Sequence, residues 1–454
     1  MKCKLSAAIG IALLAISGSA VAITDSDVNS VIPFNFANPG ARSLGMGGAF
    51  LALADDATAA YTNPAGLTQL LEPEISVEGR HTKYSVPFIN GGTFSLDPFN
   101  TSGLNSAEAN NSVNNLSFIS VSFPHDRWAF AFYRNETLRY DNTLAGSLDP
   151  ETGEIPGQGT LDVFPIGGSE SLKIVDYGAS AAFRINDSVS IGAGLSYYKF
   201  DIDTAVARVA DSQFFTNPGE LLNGQVQNGS DSDVAFNLGA RFVFNDQWSG
   251  ALAFRRGAEF SYDASAVATA QIVDNGDGTS TAVAITPTLL ANLKDVKMKV
   301  PDVYGAGLSW RPNDAWRVNF DIDRVMYSQV TRDMQSVFGF GPSSLARLTI
   351  PNGNEYHVGA EYTFAQMSAP VSLRAGVWRD PAHSIRYRGD PATDPDFATN
   401  VNVVASAVVF SAGKGSQTHY AFGGGVAFKQ FQLDFGADFS DLVDTYSISA
   451  VWRF

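Results

Sequence analysis

Side chains that share a proton, a metal or a charge are few in this chain and thinly spread. Its five histidines, His81, His125, His357, His383 and His419, show no metal-ligand spacing, and no H-E-x-x-H occurs. There is no G-x-S-x-G elbow of an esterase. The run Gly45-Met46-Gly47-Gly48-Ala49-Phe50 lacks the full dinucleotide fingerprint and does not lead from a strand into a βαβ unit. Asp274-Asn275-Gly276-Asp277-Gly278-Thr279 offers oxygen ligands without the spaced acids and closing glutamate of an EF-hand, and reads as a turn. The only cysteine, Cys3, leaves no disulfide framework and no thiol chemistry. The sequence therefore predicts no metal, no cofactor and no enzyme; a hydrolase whose serine and histidine lie far apart in sequence is the one form left open. What remains is binding chemistry. Arg241 and Arg255 are suited to a carboxylate, with a charge network as the alternative. Asn63-Pro64-Ala65-Gly66 follows the acidic pair Asp55-Asp56.

The elements that carry these residues are exported. Lys2 and Lys4 precede an apolar run and Ala20-Val21-Ala22, so residues 1–22 read as a signal peptide, with Cys3 at the wrong end for lipidation. The chain has a formal net charge of −16, and losing Lys2 and Lys4 makes the remainder more acidic, which excludes nucleic acid as a partner. Past the signal, no run of about 18 apolar residues predicts a spanning helix.

Strands dominate instead. In the last ten residues, Tyr446, Ile448, Ala450, Trp452 and Phe454 fall on one face and Thr445, Ser447, Ser449 and Arg453 on the other. Ten residues suffice for a tilted strand to cross a bilayer, and the terminal phenylalanine looks like the closing strand of a bacterial outer-membrane barrel. The same alternation runs through 431–439, 420–428, 304–310 and 234–244, with Arg241, Asp321, Asp323 and Asp434 on the inward parity. Fourteen segments result, near 75–88, 115–123, 127–142, 171–185, 188–207, 231–244, 247–268, 296–311, 315–331, 354–364, 370–379, 418–429, 430–441 and 443–454. Tight turns alternate with long connections near 89–114, 143–170, 208–230, 269–295, 332–353 and 380–417, as periplasmic turns and outer loops do. The reading is all-β: a fourteen-stranded antiparallel transmembrane barrel over residues 75–454, in the outer membrane.

A barrel of this size leaves a lumen, and residues 23–74 are suited to plug it. They are rich in glycine and alanine, poor in charge, and unlike a strand. Asp55 or Asp56 is placed to cap a short helix through Tyr61, which Asn63, held extended by Pro64, would end.

The run GMGGAFLALADDATAAYTNPAGL resembles the N-terminal hatch of the FadL-type long-chain fatty-acid transporters, a family that includes aromatic-hydrocarbon importers. The resemblance implies a fourteen-stranded barrel with the hatch inside, Asn63, Pro64, Ala65 and Gly66 as its gate motif, and Asp55-Asp56 as its acidic pair. It also implies lateral release through a kink in the third strand; Trp128–Asn142 holds no glycine or proline to mark one, so that exit rests on the resemblance alone. The expected function is passive import, across the lipopolysaccharide leaflet, of a long-chain fatty acid or an aromatic or aliphatic hydrocarbon. The apolar collecting surfaces would be Phe214-Phe215 with Leu221-Leu222, an amphipathic turn at Leu289-Leu290, and Phe338 with Phe340. Loop packing is the alternative for each. A barrel that docks another protein in assembly or adhesion is the alternative function.

Overall fold

In the computed structural model, residues 36–96, 99–144, 160–162, 166–208, 221–276, 280–333, 348–388 and 415–454 are described. The signal peptide, Phe214, Phe215, Phe338 and Phe340 lie outside them. Fourteen antiparallel strands form one closed sheet. They are β1 (Glu74–Leu96), β2 (Phe99–His125), β3 (Trp128–Leu144), β4 (Ile166–Asn186), β5 (Val189–Arg208), β6 (Leu221–Val243), β7 (Trp248–Arg255 continued by Glu259–Asp274), β8 (Ser280–Lys299 continued by Val303–Trp310), β9 (Trp316–Val325), β10 (Gly353–Phe364), β11 (Val371–Asp380), β12 (Gln417–Ala427), β13 (Phe431–Phe439) and β14 (Val443–Arg453). β14 pairs back onto β1 from Glu74–Arg453 to Tyr84–Val443, which closes the barrel. The paired breaks in β7 and β8 meet where Pro301 lacks a donor and where the Val300 carbonyl leaves no room for a side chain at Gly257.

The outward rows are the apolar rows of the sequence. Trp128, Phe130, Phe132, Phe236, Tyr420, Phe422, Leu433, Phe435, Ile448 and Trp452 are all exposed. In water such a surface would be an aggregation site; in hydrocarbon it is solvated. The band stops at a definite height. On β5, Ile191, Leu195 and Tyr197 give way to Lys199, Asp201 and Asp203, all outward, so the upper third of that strand stands above the bilayer.

That height explains the differences from the predicted segments. β1 and β2 run on as a hairpin through most of the expected 89–114 loop, β6 begins at Leu221, and β7 and β8 extend to Asp274 and from Ser280. Above the membrane the outward positions are polar (Glu108, Asn110, Ser112), so backbone pairing continues without the apolar alternation that marks a strand. Leu289-Leu290 lies in β8, with Leu289 paired to Val267, rather than in a helical turn; a free-standing turn or two of helix is marginal, and β7 offers a ladder. The ninth segment ends at Val325, and Ser328–Thr331 is helical.

β3 is irregular despite lacking glycine and proline. Its register against β4 shifts between Glu136 and Leu138, and its pairing with β2 stops at Phe118–Asn135. Beyond that point, side chains bridge the seam: Asn115 donates to Glu136 Oε1 at 3.0 Å and Asn111 to Asn142 Oδ1 at 2.5 Å.

Candidate functional site

Residues 36–70 precede β1 and are almost wholly buried. They form helix α1 (Ala41–Gly45), helix α2 (Ala59–Thr62) and a 3-10 helix (Pro64–Gln69) joined by turns. Gly47 and Gly48 adopt φ of +62° and +78°, which turns the chain back after α1. A segment with so little regular structure must find partners for its backbone groups elsewhere, and the lower, periplasmic halves of the strands supply them. Gly40 N–H donates to Glu78 (2.9 Å), Phe50 and Leu51 N–H to Asp321 Oδ2 (2.6 and 2.8 Å), and Ala57 N–H to Glu74 (3.1 Å). In return Asn237 donates to the carbonyls of Ala60 and Tyr61, and Asn319 to that of Ala49.

The Asn63–Gly66 motif sits against β5 and β6. Asn63 is fully buried. Its amide donates to Leu51 O (3.0 Å) and Ala240 O (3.4 Å), and its Oδ1 accepts from Ala65 N–H (3.2 Å), which starts the 3-10 helix. A methyl group at Gly192 would lie 2.5 Å from Pro64 C and Ala65 N, and one at Gly66 would overlap the Ala54 carbonyl. The approach is that of backbone to backbone, and it depends on glycine in the wall as well as in the segment. The sequence reading noted only the latter.

The acidic pair divides its work. Asp55 bonds Arg42 (2.6 Å) and Arg317 (2.8 Å); Arg42 also bonds Glu361 (2.8 Å), which bonds Arg374 (2.7 Å), which bonds Asp434 (2.7 Å). Burial would push the Asp55 carboxyl up, but Arg42 and Arg317 hold it below the usual aspartate range. Asp56, raised by burial, accepts from Thr58 N–H (2.9 Å), a turn just ahead of α2 rather than a direct helix cap.

Above the segment the lumen changes character. On β5 the inward row runs Ser190, Gly192, Gly194 and Ser196, then Tyr198, Phe200, Ile202, Thr204 and Val206, with Glu170 of β4 and Gln227 of β6 buried beside Thr204. Leu172, Ile174, Phe260, Tyr262, Val296 and Met298 join this apolar column from β4, β7 and β8. At its foot Arg255 lies over the ring of Tyr61 (4.4 Å to the centroid) and near Phe36 (5.9 Å). Among the described residues its guanidinium has no hydrogen bond or ion pair. Tyr61 in turn meets Tyr133 edge-on at 5.8 Å, and Tyr133 stacks on Phe118 where the β2–β3 seam begins. Arg241 is elsewhere: it lines a cavity of about 180 Å³ with Leu53, Gln69, Arg311 and Arg317 at the periplasmic end. Leu289 and Leu290 are exposed, and Leu221 and Leu222 open β6 opposite Gln271 and Ala270.

The fold also assembles what linear spacing hid. Asp323 of β9 and Glu355 and His357 of β10 each bring a ligand atom within 4.8 Å of the others. Only Glu355-x-His357 was visible in sequence, and a two-residue spacing within a strand is no motif by itself.

The outer membrane protein transport protein model (OMPP1/FadL/TodX) matches residues 33–386. Outer membrane protein P1 of Haemophilus influenzae is 22% identical over 390 residues, 78% of each chain. Among solved structures, a Pseudomonas aeruginosa FadL homologue matches with a TM-score of 0.63 and 12% identity, covering 93% of this chain and 100% of that one. The Ralstonia pickettii toluene transporter TbuX matches with a TM-score of 0.56 and 14% identity over the same shares. These likenesses establish the barrel fold, and with the family match they place the chain in the outer membrane. It belongs to the OMPP1/FadL/TodX family of outer-membrane transport proteins.

Proposed function

We propose that the chain is a passive import channel for a long-chain fatty acid or a similar hydrophobic molecule, with residues 23–74 as a hatch that gates the lumen. The observation that carries this is the two-part lumen. A porin lines its bore with polar groups; here the outer half of the bore carries a large apolar column, with a polar layer at Glu170, Thr204 and Gln227, and residues 36–70 fill the inner half. An acyl chain fits the column from Tyr198 to Met298, and its carboxylate fits Arg255 at the foot, where a desolvated guanidinium prefers an anion. Release runs past Tyr61 and Tyr133 into the β2–β3 seam, so that displacement of Asn63-Pro64-Ala65-Gly66 and α2 opens the way. The toluene transporter among the similar structures supports the wider cargo class of hydrophobic molecules.

The test is saturable binding of labelled oleate to the purified, refolded barrel. Wild type should bind in the micromolar range. Arg255→Gln should weaken oleate about tenfold or more, the worth of a charge-assisted hydrogen bond, and leave an uncharged aromatic hydrocarbon unaffected. Pro64→Ala should bind oleate yet fail to support uptake in cells. No binding by wild type at any concentration below the detergent limit would sink the fatty-acid reading.

A further inference from the structure

Asp323, Glu355 and His357 lie on the inner wall, where β9 and β10 pair Asp323 with Glu355 and Asp321 with His357. His357 and Glu355 are buried. His357 Nδ1 is 2.7 Å from the Gly47 carbonyl, which can only accept, so that nitrogen donates and Nε2 is the atom turned toward the carboxylates. Nε2 is buried without a hydrogen-bond partner. It faces Glu355 Oε2 at 3.6 Å and Asp323 Oδ2 at 3.8 Å. Those distances are too long for hydrogen bonds. They are close to the separation of atoms sharing one ion: ligands at about 2.0–2.1 Å from a tetrahedral centre stand roughly 3.4 Å apart. Neither carboxylate has an arginine or lysine in ion-pair reach among the described residues.

We propose that Asp323, Glu355 and His357 form a site for one divalent transition-metal ion. One imidazole nitrogen with two carboxylates suits zinc, manganese or iron rather than calcium or magnesium. The supporting shell is in place. The Gly47 carbonyl fixes the tautomer, Trp378 stacks on the imidazole (5.1 Å, 15°), and Tyr327 Oη donates to Glu355 Oε1 at 2.8 Å, leaving Oε2 for the ion. Asp323, partly exposed to the lumen, gives the entry side. Because the orienting carbonyl belongs to the segment inside the barrel, a bound ion ties that segment to the wall whatever the cargo.

The experiment is equilibrium dialysis of the folded, full-length barrel against zinc at neutral pH, with bound metal counted by mass spectrometry. Folding is checked by the heat-dependent shift in gel mobility. Wild type should hold one zinc per chain. His357→Ala should lose more than about 100-fold in affinity, beyond what losing a supporting partner costs. Glu355→Gln, which keeps its volume and its acceptor for Tyr327, should lose affinity while folding normally; His81→Ala, remote from the cluster, should bind as wild type does. Zinc bound by wild type no more tightly than by the folded Glu355→Gln chain would overturn the assignment.

Discussion

Replacing Gly192 by alanine adds one methyl group to the inner wall of β5, and the structure says where it goes. The new carbon would stand 2.5 Å from Pro64 C and Ala65 N and 2.7 Å from Pro64 Cβ, about an ångström inside ordinary contact. Backbone atoms cannot rotate aside, so Pro64-Ala65 must retreat and strain the three hydrogen bonds of Asn63. Overpacking of this size costs about 1–3 kcal/mol, and weakening a buried amide's partners costs about 1–3 kcal/mol. Alanine regains roughly 0.5–1 kcal/mol over glycine in a strand. The net, about 1–5 kcal/mol, should raise the unseated population of the segment from about 5-fold to more than about 1000-fold at 1.4 kcal/mol per decade. Hydrogen exchange of the amides in 59–70 reads this directly, and permeability of cells to a bulky hydrophilic antibiotic reads the leak. Gly424→Ala is the control: its methyl would meet only Ser372 O at 3.6 Å, so exchange should not change. Equal protection of 59–70 in wild type and Gly192→Ala would refute the claim that the motif is seated on the wall by backbone contact.

Other outcomes follow from the same geometry. The Asp55 carboxyl is held below its ordinary range, so its contribution to seating is fully present above about pH 3.9 and is lost as pH falls through the depressed folded value. Pepsin digestion should therefore release the segment only below about pH 4, and Asp55→Asn should remove that acid step. Arg374 is almost wholly buried between Glu361 and Asp434, so Arg374→Met strands Asp434, leaves Glu361 to Arg42 alone, and should cost about 3–5 kcal/mol in denaturant unfolding. Deleting Thr137 should regularise β3 against β4 and cut uptake of labelled oleate while leaving its binding to the purified barrel intact.

The barrel was legible in the sequence because a bilayer imposes period two over nine or ten residues, and Phe431–Phe439 or Trp128–Phe132 cannot satisfy it otherwise. The same rule went silent at Asn110, in the expected 89–114 loop, where β2 has left the hydrocarbon and nothing selects an apolar face. The irregular third strand was illegible for a different reason. The shift at Glu136–Leu138 is fixed by Thr137 and Asn135 binding Asp176 (2.7 and 3.0 Å), a contact between strands that no residue of β3 announces. Of the candidate arginines, parity placed both inward but gave no height. Arg255 stands at the apolar foot of the lumen and Arg241 at its periplasmic end.

Height also decides how such a plug can move. The wall holds the segment from several sides, through Glu78 and Glu74 on β1, Asn319 and Asp321 on β9 and His357 on β10. Each bond to a charged acceptor contributes about 1.5–3 kcal/mol, so expelling the whole segment would break several at once and would be a rare event. The side facing the seam is held differently. There α2 meets the wall through Tyr61, set against Tyr133 and under Arg255, and through carbonyls bonded by the neutral Ser180 and Asn237, with no ion pair. Neutral bonds are worth about 0.5–1.5 kcal/mol each. The segment is therefore weakest where α2 approaches Tyr133 and the unpaired stretch of β2 and β3. On the gating proposed above, the part that retreats is α2 with Asn63-Pro64, while Arg42 and Asp55 stay anchored to Glu361 and Arg317.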